Sequence, residues 1–464
     1  MARQRIAVIG GVAAGPAAAA EARREDPDAE VVLFERGEFI SYSACSMPYF
    51  VARWIDDYQQ LIVNSPADFE RSRGARVLIR HEVTAVHARR QRLVTRNLDN
   101  GEVQEHRFDK FILATGARAR VPDLEGVDSE NFFLLRELHD ALALRRYLDV
   151  HEVMHAVIFG GGYIGIEIAE ALRVRGIRVT ILEPQGGLLP GYLDDELRPL
   201  IHEVVHRQGI FVRQEKAVRL ERDRHGRIEV VHTDRGERIG CQLVVAAMGI
   251  RPNVELAAEA GIRIGVTGAL AADDQMKTNV PNVWACGDVA EVTRVIDGKK
   301  IHAPLSPAAF RTARVAAQNA ARKGRGAPSV FVGVCPASAV KVFGQEVASA
   351  GLKLNEALDG GFDALASTIK HWSKASTYPG ATPIHVRMIV ERGSGRLLGA
   401  EIVGAEGAAQ RLNVLVPLIR EAWSVRDIRD LDLVYTPPVA PSLDPLVVAA
   451  NAAAKKAEKS TRRR

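Results

Sequence analysis

Two stretches of this chain carry the same succession of apolar and polar positions, and that repetition organises the rest. Arg5–Glu35 reads RIAVIGGVAAGPAAAAEARREDPDAEVVLFE, and Ala156–Glu183 reads AVIFGGGYIGIEIAEALRVRGIRVTILE. Each opens with a short β-branched run, breaks at glycines, continues with an Ala-rich amphipathic stretch, and closes with a second apolar run ending in glutamate. Short apolar runs bounded by turn residues predict buried strands, and apolar positions at 3.6-residue spacing predict a helix, so each stretch predicts strand–helix–strand. A related strand and turn follows each one: FILATGARARVP (Phe111–Pro122) and LVVAAMGIRPN (Leu243–Asn253). A further element, NVWACGDVAEV, places Asp288 just past a strand. From about Ser329 the pattern changes to runs such as Pro383–Val390 and Leu397–Val403, then a helical stretch from Gly407 to Trp423, with Gly324–Pro328 as a linker. The expected fold class is α/β: two Rossmann-like dinucleotide-binding domains and a C-terminal α+β domain. The expected bounds are 1–120 with 270–325, then 121–269, then 329–450. A chain of 464 residues is too long for one core in any case.

The glycine turns predict chemistry. A pyrophosphate needs donors close to its oxygens, and the free N–H groups at a helix N-terminus supply them if the backbone can approach. The second unit has the full pattern at Gly160, Gly162 and Gly165; the first has Gly10 and Gly15, with Val12 at the middle position and Gly11 and Ala13 providing slack. Glu35 and Glu183 follow the first glycine of each turn by 25 and 23 residues and stand where an adenine ribose would be bound. An acid at Glu183 followed by Pro184 and Gln185 repels a 2′-phosphate, so NADH is favoured over NADPH, with NADPH possible.

Composition removes competing classes. The net charge of +5 invites a nucleic-acid reading, but the last ten residues, KKAEKSTRRR, hold six basic residues and one acid, and the remainder is balanced. The excess reads as a disordered basic tail over 451–464, so no nucleic-acid partner is expected. Cys45, Cys241, Cys286 and Cys335 lie far apart without CxxC spacing, which argues against a metal site or disulfide framework and fits a reducing cytoplasm. No membrane span is expected. The apolar run Ile6–Ala20 contains three glycines and a proline and leads into another strand, unlike a signal peptide.

Together these motifs resemble the two-dinucleotide-fold flavin disulfide reductases of the glutathione-reductase type, from about residue 5 to 450. The resemblance implies that the first unit binds FAD, with Ala114, Thr115 and Gly116 closing it and Asp288 holding the ribityl chain. The second unit would bind the nicotinamide cofactor, with Tyr163 as its gate and Ile164, Glu167 and Gly249 nearby. The third domain would form a homodimer. Two-cysteine members carry CxxxxC, but here Cys45 is followed by Phe50. The GGVA turn, the Ser41–Cys45 segment and Tyr435–Pro438 (YTPP) resemble coenzyme A-disulfide reductases and coenzyme A-dependent persulfide or polysulfide reductases. By that resemblance Ser41, Arg24, Arg73 and His302 belong to the substrate pocket, Arg24 facing coenzyme A phosphates. Ala44, Leu443 and the lone Tyr378 depart from the subfamily pattern.

The implied catalyst is Cys45, joined to a sulfur substrate as a mixed disulfide or persulfide. A helix N-terminus and oxidised flavin would lower its pKa, and Tyr435 from the partner subunit would protonate the leaving thiolate. Three alternatives stand beside this reading: an NADH oxidase or peroxidase using a cysteine sulfenic acid, a thiol-independent electron-transfer reductase, and a redox-sensing scaffold. The first glycine loop lacks the histidine of the oxidases and peroxidases. Cys241, Cys286 and Cys335 are expected to be packing residues.

Overall fold

A computed structural model describes residues 3–324 and 326–461, the last two by backbone alone. Its centre is a pair of five-stranded parallel sheets. In the first, the order is Val283–Ala285, Lys110–Leu113, Arg5–Ile9, Glu30–Phe34, Arg76–Leu78. In the second it is Phe132–Leu134, Leu243–Ala246, His155–Phe159, Arg178–Leu182, Ile210–Arg213. The strand before each glycine turn is central and buried on both faces; Ile6, Ala7 and Val8, and Ala156, Val157 and Ile158, are all fully buried. That is why these strands read as continuous apolar runs without alternation.

Only the outer strand distinguishes the two sheets. In the first it arrives late in the chain, so the whole second sheet is inserted between Lys110–Leu113 and Val283–Ala285. Antiparallel pairing of Ala117–Ala119 with Ile250–Pro252 ties the outgoing and returning connections together. Helices Ala14–Glu25 and Ser306–Ala321 pack on the first sheet, each presenting mainly alanines to the core.

The C-terminal part is a five-stranded antiparallel sheet, Ala337–Val342, Gln345–Gly351, Leu397–Gly404, Pro383–Glu391, Ala364–Trp372. Helix Ala408–Arg420 lies against it. The fold is α/β, with two dinucleotide-type units and an α+β C-terminal domain.

The C-terminal segment corrects the sequence expectation of a disordered tail. Helix Pro445–Thr461 runs through most of it, and Arg462–Arg464 lie outside the described residues. Ala449, Ala450, Ala453, Ala454 and Ala457 are buried and recur at three- and four-residue spacing, so one face packs on the sheet. Lys456 reaches back with Nζ to the carbonyl of Ala366, 2.8 Å away. Of the basic residues that suggested disorder, Lys455, Lys456 and Lys459 form the outer face of this packed helix. Among the described residues, no helix is long and apolar enough to cross a membrane.

Candidate active site

The two glycine turns are built alike, by contacts that exclude any side chain. Gly10 and Gly160 have φ of 109° and 105°, in the region that glycine alone enters freely. A Cβ on Gly10 would lie 2.2 Å from the Ala114 carbonyl oxygen, and on Gly160 2.4 Å from that of Ala247. A Cβ on Gly15 or Gly165 would lie 1.7 or 2.0 Å from the oxygen of Gly10 or Gly160. Gly162 differs, since a Cβ there meets nothing within 4 Å. Its glycine keeps space open in front of helix Tyr163–Val174 without serving the chain's own packing. Val12, at the corresponding place, packs against the second core instead. Neither helix has a side chain capping its first-turn amides, so those donors are available to an anion. The residues present therefore fit dinucleotides in both units.

Glu35 and Glu183 also work inward. Glu35 accepts from the N–H of Gly11 and of Gly37, each at 2.6 Å, and Glu183 from Gly161 and Gln185, each at 2.8 Å. Burial pushes the Glu35 carboxyl up, against the lowering by the Gly37 and Gly11 bonds. Each acid thus locks its glycine turn to the end of the second strand.

Cys45 sits on the single turn Ala44–Ser46 that leads into helix Met47–Val51, with Pro48 in its first turn. Ser43 and Ser46 bond through their hydroxyls at 2.7 Å, closing the turn around the cysteine. Cys45 is solvent-accessible, yet protein crowds the sulfur enough that burial pushes the thiol pKa up. Glu167 and Asp288 push it the same way and Arg136 opposes them. The polypeptide alone therefore does not supply the lowering expected from a helix N-terminus beside oxidised flavin. A five-residue helix has a small dipole, and two carboxylates outweigh one guanidinium. These charges also locate the site: Glu167 and Arg136 come from the second unit, and Asp288 follows the outer strand of the first sheet.

Arg136 was not visible as a site residue in the sequence. Its Nη2 pairs with Asp288 at 2.8 Å and its Nε donates to the Ala117 carbonyl at 2.9 Å. His302 donates from Nε2 to the Asp288 carbonyl at 2.7 Å, so the two are neighbours. Tyr49 was also missed, because MPYF reads as a plain apolar helix. It hydrogen-bonds Glu167, whose carboxyl burial and Glu170 push up to about 7 despite that bond. Tyr163 packs against Tyr192 with ring centroids 4.0 Å apart and the rings tilted by 35°, and its hydroxyl meets the Ser338 hydroxyl at 2.5 Å. Burial pushes the Tyr163 phenol up to about 12.

The remaining substrate positions scatter. Ser41 adopts φ of 47°; its N–H donates to Gly11, its carbonyl accepts from Val63, and its hydroxyl accepts from Asn64 at 3.2 Å. A non-glycine residue held left-handed by these bonds and by a further one from the Asn64 N–H to its carbonyl marks a constrained place beside the first glycine turn. Arg24 lies at the far end of helix Ala14–Glu25, paired with the buried Glu21, whose other oxygen accepts from Gln318. Arg73 ends helix Pro66–Arg73 on the surface. Tyr435 lies on the C-terminal domain, 54% exposed, with no bond to the cysteine of its own chain among the described residues. Thr115 and Asn253 bond each other's backbone carbonyls with their side chains, and Gly116 and Gly249 turn with φ of 63° and 87°. Cys241 and Cys286 are buried and Cys335 is partly buried; all are free, with thiols raised by burial.

Residues 4–324 match the family described as pyridine nucleotide-disulphide oxidoreductase, and residues 337–446 match its dimerisation domain. An NAD(P)H coenzyme A polysulfide/persulfide reductase of Pyrococcus horikoshii is 35% identical over 448 residues, 97% of this chain and 98% of that protein. A protein named NADH oxidase from Methanocaldococcus jannaschii is 30% identical over 452 residues, 97% and 99%. The solved NAD-dependent persulfide reductase of A. fulgidus has a TM-score of 0.94 at 32% identity, over 98% of this chain and 84% of that one. The chain belongs to the pyridine nucleotide-disulphide oxidoreductases, a family that uses FAD and NAD(P)H.

Proposed function

We propose that this chain is an FAD-dependent NAD(P)H:disulfide oxidoreductase that reduces coenzyme A disulfide, or a related persulfide or polysulfide, through Cys45. One observation carries the reading: the accessible cysteine stands where charges from both dinucleotide units converge, Glu167 and Arg136 from residues 121–269 and Asp288 from the segment that returns to the first sheet. Residues 1–120 and 270–325 hold FAD, 121–269 hold the nicotinamide nucleotide, and 329–450 make a homodimer in which Tyr435 reaches the other protomer's cysteine. Free thiols at all four cysteines suit a reducing cytoplasm.

When bound, FAD supplies the two-electron relay between nicotinamide and sulfur. The chain's own residues do the rest. Cys45 as thiolate attacks the acceptor disulfide, forms a mixed disulfide and expels one thiolate. Two electrons cleave that bond, release the second thiol and restore the Cys45 thiolate, so that NADH, one proton and one disulfide give NAD⁺ and two thiols. Since the polypeptide raises the thiol pKa, the lowering that nucleophilic attack needs falls to the bound cofactor. Tyr435 delivers the proton to the leaving sulfur. By the family resemblance Ser41, His302, Arg24 and Arg73 serve the acceptor, Arg24 facing the coenzyme A phosphates. Tyr163 gates the nicotinamide, and the buried Glu183 carboxylate favours NADH by repelling a 2′-phosphate.

Cys45→Ser tests this. Turnover of coenzyme A disulfide or polysulfide should fall at least ~1,000-fold, while NADH-dependent reduction of ferricyanide persists. Unchanged disulfide turnover in that variant would sink the proposal. Given the relative named NADH oxidase, oxygen uptake should be followed in parallel; uptake that matches NADH consumption and ignores added disulfide would favour the sulfenic-acid route.

A further inference from the structure

Residues 430–444 contain no helix or strand, yet they expose a row of apolar side chains: Val434 at 84%, Tyr435 at 54%, Val439 at 58% and Leu443 at 63%. An irregular segment of this length needs anchors to hold one conformation, because its backbone entropy opposes order. Its main anchor is the side chain of Arg411, from helix Ala408–Arg420. The guanidinium reaches three separate places. Nε bonds Asp444 Oδ2 at 3.1 Å, while Nη2 bonds the Ser373 carbonyl at 2.6 Å and the Val439 carbonyl at 3.5 Å. Both side chains of the ion pair are nearly buried, at 13% and 10% exposure.

Ser373 opens the loop that carries Tyr378. That loop is closed by the Ser373 N–H donating to the Thr382 carbonyl at 2.8 Å and the Thr382 N–H donating to the Ser373 hydroxyl at 3.1 Å. It is joined to the Tyr435 segment by a second bond, from the Ala375 N–H to the Pro437 carbonyl at 3.2 Å. Lys374 lies 5.6 Å from the Tyr378 ring centroid in the same loop. One guanidinium therefore binds two exposed loops, distant in sequence, into a single unit. A planar fork with several fixed donors suits this, and a lysine point charge could satisfy only part of it.

We infer that Arg411 is a positioning residue: it clamps the Tyr435 segment to loop 373–382, so that the dimer presents both to the partner's Cys45 in one fixed geometry. This rests on the reading of Tyr435 as the proton donor in trans. Asp444 completes the clamp. Its Oδ2 holds Arg411, and its Oδ1 accepts from the Leu446 N–H at 2.9 Å to start the C-terminal helix.

The test uses the FAD-loaded, full-length dimer. Arg411→Met should lower kcat for coenzyme A disulfide at least tenfold and leave KM for NADH and the ferricyanide rate unchanged. Arg411→Lys should restore part of the loss. Sedimentation velocity checks that the dimer persists. Should Arg411→Met fail to fold or dimerise, Asp444→Asn decides, since it keeps an oxygen for the Leu446 N–H while weakening the ion pair; the same selective loss of kcat is expected. Normal disulfide turnover in folded Arg411→Met, or in Asp444→Asn if that is the variant that folds, would overturn the clamp. Tyr435→Phe run in parallel separates the two ideas. If it is as fast as the parent chain, the proton-donor reading fails and takes the clamp's catalytic purpose with it. If it is slow while the Arg411 variants are normal, only the clamp fails.

Discussion

The two dinucleotide units use the same backbone device for different ends. In both, a left-handed glycine accepts the next strand's carbonyl at its back, a second glycine lets the helix sit on the turn, and a strand-end glutamate bonds the turn's N–H. They diverge in the first turn of the helix. Where the second unit has Gly162, Tyr163 and Glu167, the first has Val12, Ala13 and Ala17. The first helix thus offers small, inert side chains, suited to a ligand that stays. The second offers a ring tilted against Tyr192 and an acid near neutrality, suited to a ligand that comes and goes. The glycines that serve the fold are common to both units, and the one that only leaves space is not.

The largest effect should come from the shared glycines. A Cβ at Gly15 or Gly165 falls within 1.7 or 2.0 Å of a backbone oxygen, a clash that costs ~1–3 kcal/mol or more after relaxation. Gly15→Ala should be purified without visible flavin and lack all NADH oxidation. Gly165→Ala should stay yellow but reduce its flavin with NADH at least ~100-fold more slowly. A Gly15→Ala protein with stoichiometric FAD would break the comparison.

Next come the acids. Removing either carboxylate strips two backbone N–H groups of their partner, about 1–3 kcal/mol for each one left buried. Glu35→Ala should weaken FAD retention on dialysis. Glu183→Ala should raise KM for NADH about tenfold and narrow the gap to NADPH, since the repelling charge is gone; steady-state kinetics with both nucleotides would show it.

A smaller, pH-dependent difference belongs to Glu167 alone. Its carboxyl is raised from 4.5 to about 7, so the folded state binds its proton more tightly than the unfolded chain does. Its contribution to stability is complete below about pH 4.5 and is lost as pH rises through about 7. Thermal unfolding of the parent chain should therefore decline more steeply than that of Glu167→Gln across this window. NADH-dependent flavin reduction should show an inflection near 7 that the variant lacks. Identical profiles would remove Glu167 from this role.

The smallest effects are at the middle position. Gly162→Val should change Tm by no more than about 2–4 °C, because its Cβ meets no protein atom and its φ of −74° suits any residue. Even so, KM for NADH should rise several-fold. Val12→Gly should cost about 1 kcal/mol of packing and chain entropy and leave FAD binding intact.

Much of the site was legible in the sequence because its residues lie close together along the chain. Gly10 to Glu35 and Gly160 to Glu183 are single supersecondary units, and their spacing alone predicts the turn, the helix and the acid. Cys45 was readable as the catalyst through the family resemblance that the Ser41–Cys45 segment carries. Tyr49, Arg136, Tyr192 and Ser338 were not, because their partners lie far away in sequence and no periodicity marks them. The charges the polypeptide sets around Cys45 were not legible for the same reason: two of the three side chains come from residues 136 and 288. The tail was misread because charge counting saw the lysines and arginines and overlooked the alanine stripe at helical spacing.

What the amino-acid order determined by itself is local: strand, glycine turn and helix, twice over, each with its acid, since backbone sterics and side-chain period act over a few residues. Tertiary structure decided which side chains share a space. It brought Glu167 and Asp288 close enough to act on Cys45, paired Glu21 with Gln318, and joined the Tyr435 segment to Arg411. Those outcomes depend on desolvation and on distances between distant segments, quantities that exist only once the chain has packed.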